Sequence, residues 1–240
     1  MTRSHGFTLI EMAIVLVIIT ILIGGLAMPL SAQIQARRIA ETNKTLEEAR
    51  NALMGYAILT TKFIPAGHPY LPCPDTDGDG IENRTGTDCS SSSSGVSYGW
   101  FPWVTLGAAP QDAWGNRLRY VVISQFAESG VGFSGSTSTT LTICTTRNCP
   151  PLSSVAQNVA FALISHGPNG WGALNVNGTN LALPSGPDET ENLLALNSLP
   201  LVMRAPTKAD AALGEFDDLV AGASLTELVG RVCLTALDCQ

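Results

Sequence analysis

An acidic segment, Asp75–Asn83, has the residue types and the spacing of a cation-binding loop. Its sequence is D-T-D-G-D-G-I-E-N, in which three aspartates alternate with small residues and a glycine follows the third aspartate. This pattern is typical of the first half of an EF-hand-type calcium loop, in which a tightly turning backbone points several oxygens at one ion. The predicted calcium ligands are the side chains of Asp75, Asp77, Asp79 and Glu82 and the carbonyl of Ile81.

The end of this segment departs from the calcium-loop pattern. The twelfth position counted from Asp75 is Gly86, where a bidentate glutamate normally lies. Glu82 or Asp88 would have to replace that ligand. A solvated acidic turn closed by a disulfide explains the same residues without an ion, so both interpretations stay open at the level of sequence.

The chain has six cysteines, and none of them precedes the acidic segment by more than two residues. An even number of cysteines favours disulfides in an oxidising compartment. Their spacing favours three local loops, which pair Cys73 with Cys89, Cys144 with Cys149, and Cys233 with Cys239. A zinc site is the rival interpretation, and the absence of any C-x-x-C pair from the sequence argues against it.

A further carboxylate lies in an unexpected place near the N-terminus. Glu11 interrupts a run from Phe7 to Leu30 that is otherwise almost entirely apolar and long enough to cross a bilayer as a helix. A carboxylate at the centre of such a helix costs roughly 2.5–3.5 kcal/mol on insertion scales, and it usually has a partner. No lysine or arginine lies within a helical turn of Glu11, so its partner could belong to another chain.

The segment around Glu11, G-F-T-L-I-E, resembles the processing site of type IV prepilins and type II secretion pseudopilins. The resemblance implies that residues 1–6 form a leader, and that a prepilin peptidase cuts between Gly6 and Phe7 and methylates the new amine of Phe7. It also implies that this amine pairs with Glu11 of a neighbouring subunit. An ion pair in a water-poor filament core is strong only when both members are present, so the pair would fix the register between subunits.

The same resemblance implies a location and a set of partners. Residues 7–30 would form a single-pass helix in the inner membrane, with the head in the periplasm, and would later form the core of a pilus or pseudopilus that could reach the cell surface. The implied partners are the prepilin peptidase, the inner-membrane assembly platform, other pilin-like subunits, and membrane lipid before assembly. Whether the filament is a surface pilus, a secretion device or a DNA-uptake device stays open, as does its major or minor role.

The elements that must position these residues fall into two regions. Residues 31–62 are rich in helix formers, and Ile39, Leu46 and Leu53 recur at helical spacing, which predicts an amphipathic continuation of the apolar helix. Residues 63–240 are rich in Gly, Pro, Ser and Thr. The sequence therefore predicts an α+β, pilin-like fold, in which a long N-terminal helix packs on a small antiparallel sheet with long, disulfide-closed loops.

Three or four antiparallel strands are predicted in the head. The segments with short β-rich runs are 118–126, 139–145, 159–165 and 216–220. A short helix is predicted from Ser224 through Leu228 and a little beyond. The aromatic segment around Trp100, Phe101 and Trp103 is expected to pack against the long helix rather than to form a binding surface.

Two further segments resemble the major pseudopilin of type II secretion. Asp112–Tyr120, D-A-W-G-N-R-L-R-Y, is similar to its D-P-W-G-N-P-x-x-Y stretch, and the implied structure is a glycine turn with Trp114 buried against the helix. Ser165–Gly172 is similar to an S-x-G-x-D-G turn beside which that family holds calcium, but Asn169 stands where an aspartate would be. The nearby acidic residues that could compensate are Asp188, Glu189 and Glu191.

The composition excludes several classes of function. Charged residues make up 14% of the chain and the net charge is −7, so general nucleic-acid binding is not expected. With three histidines and no phosphate-binding glycine motif, the sequence contains no catalytic constellation, and we predict a pilin-like subunit rather than an enzyme. Two alternatives remain: a membrane-anchored or tip adhesin stiffened by calcium, and a secreted globular protein with an ordinary signal peptide.

Overall fold

The computed structural model describes residues 6–63, 68–93, 95–150, 152–194, 200–233 and 239, without the side chains of residues 24–29, 61–63, 92–93 and 194. The chain divides into two compact units, Met1–Ala40 and Glu41–Gln240; the second is called the head unit below. Apart from Gly6, the predicted leader lies outside the described residues.

A long helix, α1, runs from Leu9 to Phe63 and covers most of the two segments predicted to be helical. Between Phe7 and Ile23 its side chains are exposed. In the head unit, by contrast, Leu46, Leu53 and Ala57 are almost completely buried in the core, as the helical spacing of apolar residues predicts. Within the part of the chain that the structure describes, none of the helices combines the length and apolarity that crossing a membrane requires.

Besides the second part of α1, the described residues of the head unit form short strands and four short helices. The strands are β1 Arg84–Thr85, β2 Asp88–Cys89, β3 Ser92–Ser93, β4 Val96–Trp100, β5 Arg119–Ile123, β6 Ile143–Cys144, β7 Ser154–Ala156, β8 Val159–Ser165, β9 Leu201–Val202 and β10 Leu219–Ser224. The helices are α2 Trp103–Leu106, α3 Ser124–Ala127, α4 Pro187–Leu194 and α5 Leu225–Val232.

The main sheet has five strands in the order β10-β8-β5-β4-β3, and every neighbouring pair is antiparallel. A smaller sheet has the order β7-β6-β9, in which β6 and β9 run parallel. A mixed helix-and-sheet architecture with a long N-terminal helix is therefore confirmed. The sheet system is larger than the three or four strands that the sequence predicts.

The strand predictions succeed and fail for local reasons. β8 coincides with the predicted segment 159–165, whose residues are all buried. The segment 118–126 is a strand only as far as Ile123, because α3 begins at Ser124. The prediction over 139–145 was too long, since only Ile143 and Cys144 join a ladder.

The predicted strand at 216–220 was placed too early. β10 begins at Leu219 and extends to Ser224, while Phe216 only forms an isolated bridge with Thr207. The predicted terminal helix follows as α5, and the Ser224 side chain accepts a hydrogen bond from the Glu227 N–H at its N-terminus. This N-cap explains why the strand ends at Ser224 and the helix begins at the next residue.

The core joins α1, the main sheet and α5. Tyr120 and Phe161 lie in it with their rings in edge contact, their centroids 6.3 Å apart. The Arg50 Nε donates to the Gly222 carbonyl of β10 at 3.1 Å, and the Arg50 guanidinium also forms an ion pair with Glu227 of α5. One side chain of α1 is thus bonded to both the last strand and the last helix.

Three disulfides close local loops in the head unit. They join Cys73 to Cys89, Cys144 to Cys149, and Cys233 to Cys239, which are the pairs that the spacing favours. The sequence separations are 16, 5 and 6 residues. The first of these loops contains the whole acidic segment.

Candidate functional site

The N-terminus of α1 carries a reciprocal pair of hydrogen bonds. The Thr8 N–H donates to Glu11 Oε2 at 2.7 Å, and the Glu11 N–H donates to Thr8 Oγ1 at 3.3 Å. The Thr8 hydroxyl also donates to Glu11 Oε2 at 2.9 Å. This arrangement is a capping box, in which residue N3 of a helix satisfies the N–H of the N-cap residue. Glu11 therefore has a partner within its own chain, which the T-L-I-E spacing would have revealed.

The predicted processing site precedes this cap. Phe7 is 85% exposed, and nothing lies within 4 Å of the position that a Cβ on Gly6 would occupy. The carboxylate of Glu11 also lies in the first turn of the helix, where the unpaired N–H groups favour a negative charge. This end of the described chain therefore combines exposed residues before the helix with a carboxylate in the first helical turn.

The acidic segment folds into a compact loop. Oxygens of Asp75, Asp77 and Asp79 lie within 4.8 Å of one another. Asp75 is fully buried, and its carboxylate accepts backbone N–H bonds from Gly78 at 2.7 Å and from Gly80 at 2.8 Å. Burial raises the pKa of Asp75, although these hydrogen bonds oppose the shift. The structure thus brings together the three aspartates, and they could hold a metal ion.

Glu82 does not join the three aspartates, which differs from the predicted ligand set. Its Oε1 accepts from the Tyr56 hydroxyl at 2.9 Å, and its Oε2 accepts from the Cys73 N–H and the Arg84 Nε, both at 2.9 Å. These donors hold the carboxylate against α1 and the base of the loop. Glu82 therefore anchors the loop instead of facing its centre.

A second carboxylate cluster was not predicted as a unit. Oxygens of Glu189, Asp217 and Asp218 lie within 4.8 Å of one another. Glu189 Oε1 accepts from the Asp217 N–H at 2.8 Å and from the Asn169 Nδ2 at 3.4 Å. Glu189 is 1% exposed, yet its Oε2 has no hydrogen-bond partner among the described residues, and neither does the buried Asp217 Oδ1.

The electrostatics of this second cluster are unbalanced. Burial, together with the neighbouring carboxylates, raises the pKa of Asp217 to about 7, and burial also raises the pKa of Glu189. His166 Nδ1 lies 3.3 Å from Asp218 Oδ1, but no lysine or arginine of the described part of the chain forms an ion pair with the cluster. Three converging carboxylates with orphaned oxygens fit a hard cation, which takes oxygen ligands.

Asp188 and Glu191, two of the acidic residues that could compensate for Asn169, lie outside this second cluster. The Asp188 carboxylate accepts from the Arg204 Nε at 2.7 Å, and neither Asp188 nor Glu191 belongs to the cluster. Glu189 alone of the three is placed beside Asn169. The sequence could not show this, because the other two members come from the segment before β10.

The predicted glycine turn forms at Asp112–Asn116. Asp112 Oδ1 accepts N–H bonds from Trp114 and Asn116, both at 2.9 Å, and Asp112 Oδ2 accepts from the Ser165 hydroxyl at 2.7 Å. Trp114 is half-buried. A buried carboxylate thus joins the turn before β5 to the end of β8.

The comparison with known proteins concerns the N-terminus. A family model described as the prokaryotic N-terminal methylation motif matches residues 1–27. This motif is the prepilin-type signal of type IV pilins and pseudopilins, and it indicates a structural subunit rather than an enzyme. No curated protein and no solved structure matches the chain.

Proposed function

Starting from the prepilin-type signal at residues 1–27, we propose that the protein is a type IV pilin-like or pseudopilin subunit. A prepilin peptidase removes residues 1–6 and methylates the amine of Phe7. The mature chain is held in the inner membrane by its apolar helix, and the assembly platform then transfers it into a filament. The methylation motif is the observation that carries this proposal.

The exposed apolar surface of α1 supports the same function. Between Phe7 and Ile23 most side chains are large and apolar, and those of Leu9, Ile10 and Ile21 are 89%, 68% and 67% exposed. Contiguous apolar surface of this kind is rare on monomeric soluble proteins and marks an interaction site. Lipid before assembly and neighbouring α1 helices after assembly would cover it.

In the filament, Glu11 would exchange one partner for another. In the isolated chain its carboxylate caps α1 through Thr8. Cleavage after Gly6 creates a cation at Phe7, and a neighbouring subunit would present that cation to the same carboxylate. The capping box keeps the carboxylate at the helix end before this contact is made.

Intact-mass measurement of the protein from its native cells tests the processing step. We expect the mature chain to begin at Phe7 and to carry one added methyl group, because cleavage of the Gly6–Phe7 bond frees the amine that is then methylated. Changing Gly6 to Leu should leave the leader attached, while changing His5 to Ala should not. A mature chain that begins after Ala32 would instead identify an ordinary signal peptide, and it would end this proposal.

We also propose that the head unit binds calcium. The Asp75 loop supplies three close carboxylates. The cluster of Glu189, Asp217 and Asp218 adds orphaned oxygens at Glu189 Oε2 and Asp217 Oδ1, and a bound cation would satisfy both. The orphaned oxygens make the second cluster the stronger of the two candidates.

Thermal unfolding with and without calcium tests this proposal. A ligand present at 100 times its dissociation constant stabilises a protein by about 2.7 kcal/mol, so calcium should raise the melting temperature of the chelator-treated protein. A double variant, Glu189→Gln with Asp217→Asn, should lose most of this increase in melting temperature. A second double variant, Asp75→Asn with Asp79→Asn, should show how much of the increase comes from calcium bound at the acidic loop. Glu191→Gln is the matched control, because Glu191 lies outside both clusters.

Protons should compete with calcium at the second cluster. The ion binds the deprotonated carboxylate, and the pKa of Asp217 lies at about 7, so lowering the pH from 8 to 6 should weaken binding roughly tenfold. Isothermal titration at the two pH values measures this change. A melting temperature that calcium leaves unchanged at pH 8 would contradict the calcium proposal as a whole.

A further inference from the structure

A cavity of about 370 Å³ opens beside the end of the main sheet, where β4 and β5 meet the acidic loop. The residues of its lining that bear on its chemistry are Asp75, Ser90, Ser91, Tyr98, Trp100 and Arg119. Its volume lies within the range of about 300–1,000 Å³ that is usual for small-molecule sites. The lining therefore contains both aromatic and polar groups, which limits the kinds of small molecule that the cavity could bind.

Arg119 dominates the charge of this cavity. It is 9% exposed, its Nε is buried without a hydrogen-bond partner, and its guanidinium forms no ion pair within the described part of the chain. The guanidinium instead lies over two rings, 5.7 Å from the Tyr98 centroid and 5.5 Å from the Trp100 centroid. Burial lowers the pKa of Arg119 to about 10, so the side chain remains charged at neutral pH.

The sheet register explains this arrangement. Arg119 pairs directly with Trp100 across β4 and β5, and Tyr98 lies two residues earlier on the same face of β4. Trp100 is half-exposed rather than a core residue, which corrects the expectation that this aromatic segment only packs on the helix. Phe101, by contrast, is buried in the core as expected.

Three half-buried arginines show what Arg119 lacks. Arg50, Arg84 and Arg204 each bond to a carboxylate and to at least one backbone carbonyl. A buried charge without hydrogen-bonding partners is strongly unfavourable. The Arg119 Nε therefore has no acceptor among the described residues, and the Arg119 side chain lines a cavity large enough for a ligand.

We propose that this cavity binds the carboxylate of a hydroxylated small ligand about the size of one sugar ring, a uronic acid. A guanidinium edge can hold a planar carboxylate through two parallel hydrogen bonds. The hydroxyls of Ser90 and Ser91 line the same cavity, and the buried Ser91 Oγ has no partner among the described residues. The rings of Tyr98 and Trp100 provide apolar surface for the carbon skeleton.

The charge around the cavity favours a monoanion. Asp75 also lines it. Its oxygens accept N–H bonds from Asp77, Gly78 and Gly80, and its negative charge repels a doubly charged ligand about twice as strongly as a singly charged one at the same distance. A carboxylate with one charge is therefore preferred to a phosphate with nearly two. This binding activity does not depend on filament assembly, so it goes beyond the function proposed above.

Calorimetric titration of the full chain tests the proposal. The protein should be kept in a detergent whose head group is not a sugar, because its apolar helix is exposed. Galacturonate should bind saturably, and galactose, which carries a hydroxymethyl group where galacturonate carries its carboxylate, should bind at least tenfold more weakly. Inorganic phosphate should also bind at least tenfold more weakly than galacturonate.

Two variants separate the site from the fold. Arg119→Gln should weaken galacturonate binding at least tenfold. Arg119→Lys keeps the charge but loses the guanidinium edge that makes two parallel hydrogen bonds, so its affinity for galacturonate should lie between those of Arg119→Gln and the original protein. Arg117→Gln is the matched control, since Arg117 lies over the Trp103 ring and donates to Pro110 instead. Unchanged melting temperatures of these variants without ligand would establish that the fold is retained.

Three results would overturn the proposal. Equal affinity for galactose and galacturonate would show that the carboxylate is not recognised. Tighter binding of phosphate than of galacturonate would show that the cavity does not prefer a monoanion. Failure of galacturonate to bind, together with loss of Arg119→Gln from filaments, would mean that a carboxylate of a neighbouring subunit occupies the cavity.

Discussion

A Glu11→Ala variant is expected to fold and to reach the membrane, but to be depleted from filaments roughly a hundredfold or more. The cationic amine of Phe7 would lose its acceptor on the neighbouring subunit, and removing one member of a buried ion pair costs about 3–5 kcal/mol. The measurement is the ratio of variant to original protein in sheared filaments, relative to the ratio in membranes of the same cells.

The capping box at the start of α1 supplies the controls for this experiment. Glutamine at position 11 can still accept the Thr8 N–H bond, because Gln serves as well as Glu at this position of a capping box. Glu11→Gln therefore removes the charge and keeps the cap. Thr8→Val does the opposite, since it deletes the hydroxyl and leaves the carboxylate.

The two roles considered for Glu11, ion pairing between subunits and helix capping, predict opposite orders of depletion from filaments for the variants. If the ion pair governs assembly, Glu11→Gln is depleted almost as severely as Glu11→Ala, and Thr8→Val assembles with at most a modest loss. Normal incorporation of Glu11→Gln would show that the carboxylate serves only as a helix cap. That result would leave the processing site intact but would refute the interchain pair.

An Asp112→Ala variant is expected to lose about 3–5 kcal/mol of stability. Asp112 is 3% exposed and its carboxylate accepts from Trp114, Asn116 and Ser165. Each hydrogen bond to a charged group contributes about 1.5–3 kcal/mol, and truncation leaves buried donors unpaired. Urea unfolding of the full chain, followed by tryptophan fluorescence, gives the free energy of unfolding.

Ser165→Ala is the matched control for Asp112. It deletes the 2.7 Å bond to Asp112 Oδ2 and the 3.3 Å bond that the Ser165 hydroxyl accepts from the Gly167 N–H, and it leaves the two backbone bonds of the turn in place. Its loss should be about 1–3 kcal/mol. Equal losses for the two variants would mean that the backbone bonds of the turn contribute little, and that Asp112 matters only through β8.

Features fixed by neighbouring residues could be predicted from the sequence. The structure contains the predicted buried face of α1 at Leu46 and Leu53 and the predicted strand β8, and it brings the three aspartates of the acidic loop together. β4 could not be predicted from its local sequence, V-S-Y-G-W. Gly99 in this strand meets the backbone of Asp75 so closely that a Cβ would not fit, and this contact exists only after folding.

The sites that depend on chain-distant partners were missed for the same reason. Glu189 lies on α4, whereas Asp217 and Asp218 precede β10, in a segment that the sequence assigned to a strand. Arg119 resembles any arginine within a predicted strand until the pairing of β4 with β5 places Trp100 opposite it. Local patterns therefore identified the processing signal and the acidic loop, but not the orphaned groups.

The bonds of Arg50 give the head unit a mechanical design. Because this residue of α1 is joined to Gly222 and Glu227, tension arriving along α1 would be shared by β10 and α5. The Tyr56 hydroxyl of α1 also donates to Glu82, so the acidic segment is joined to the same helix. In the filament proposed above, these bonds would couple a pull on α1 to the folded core of the head unit.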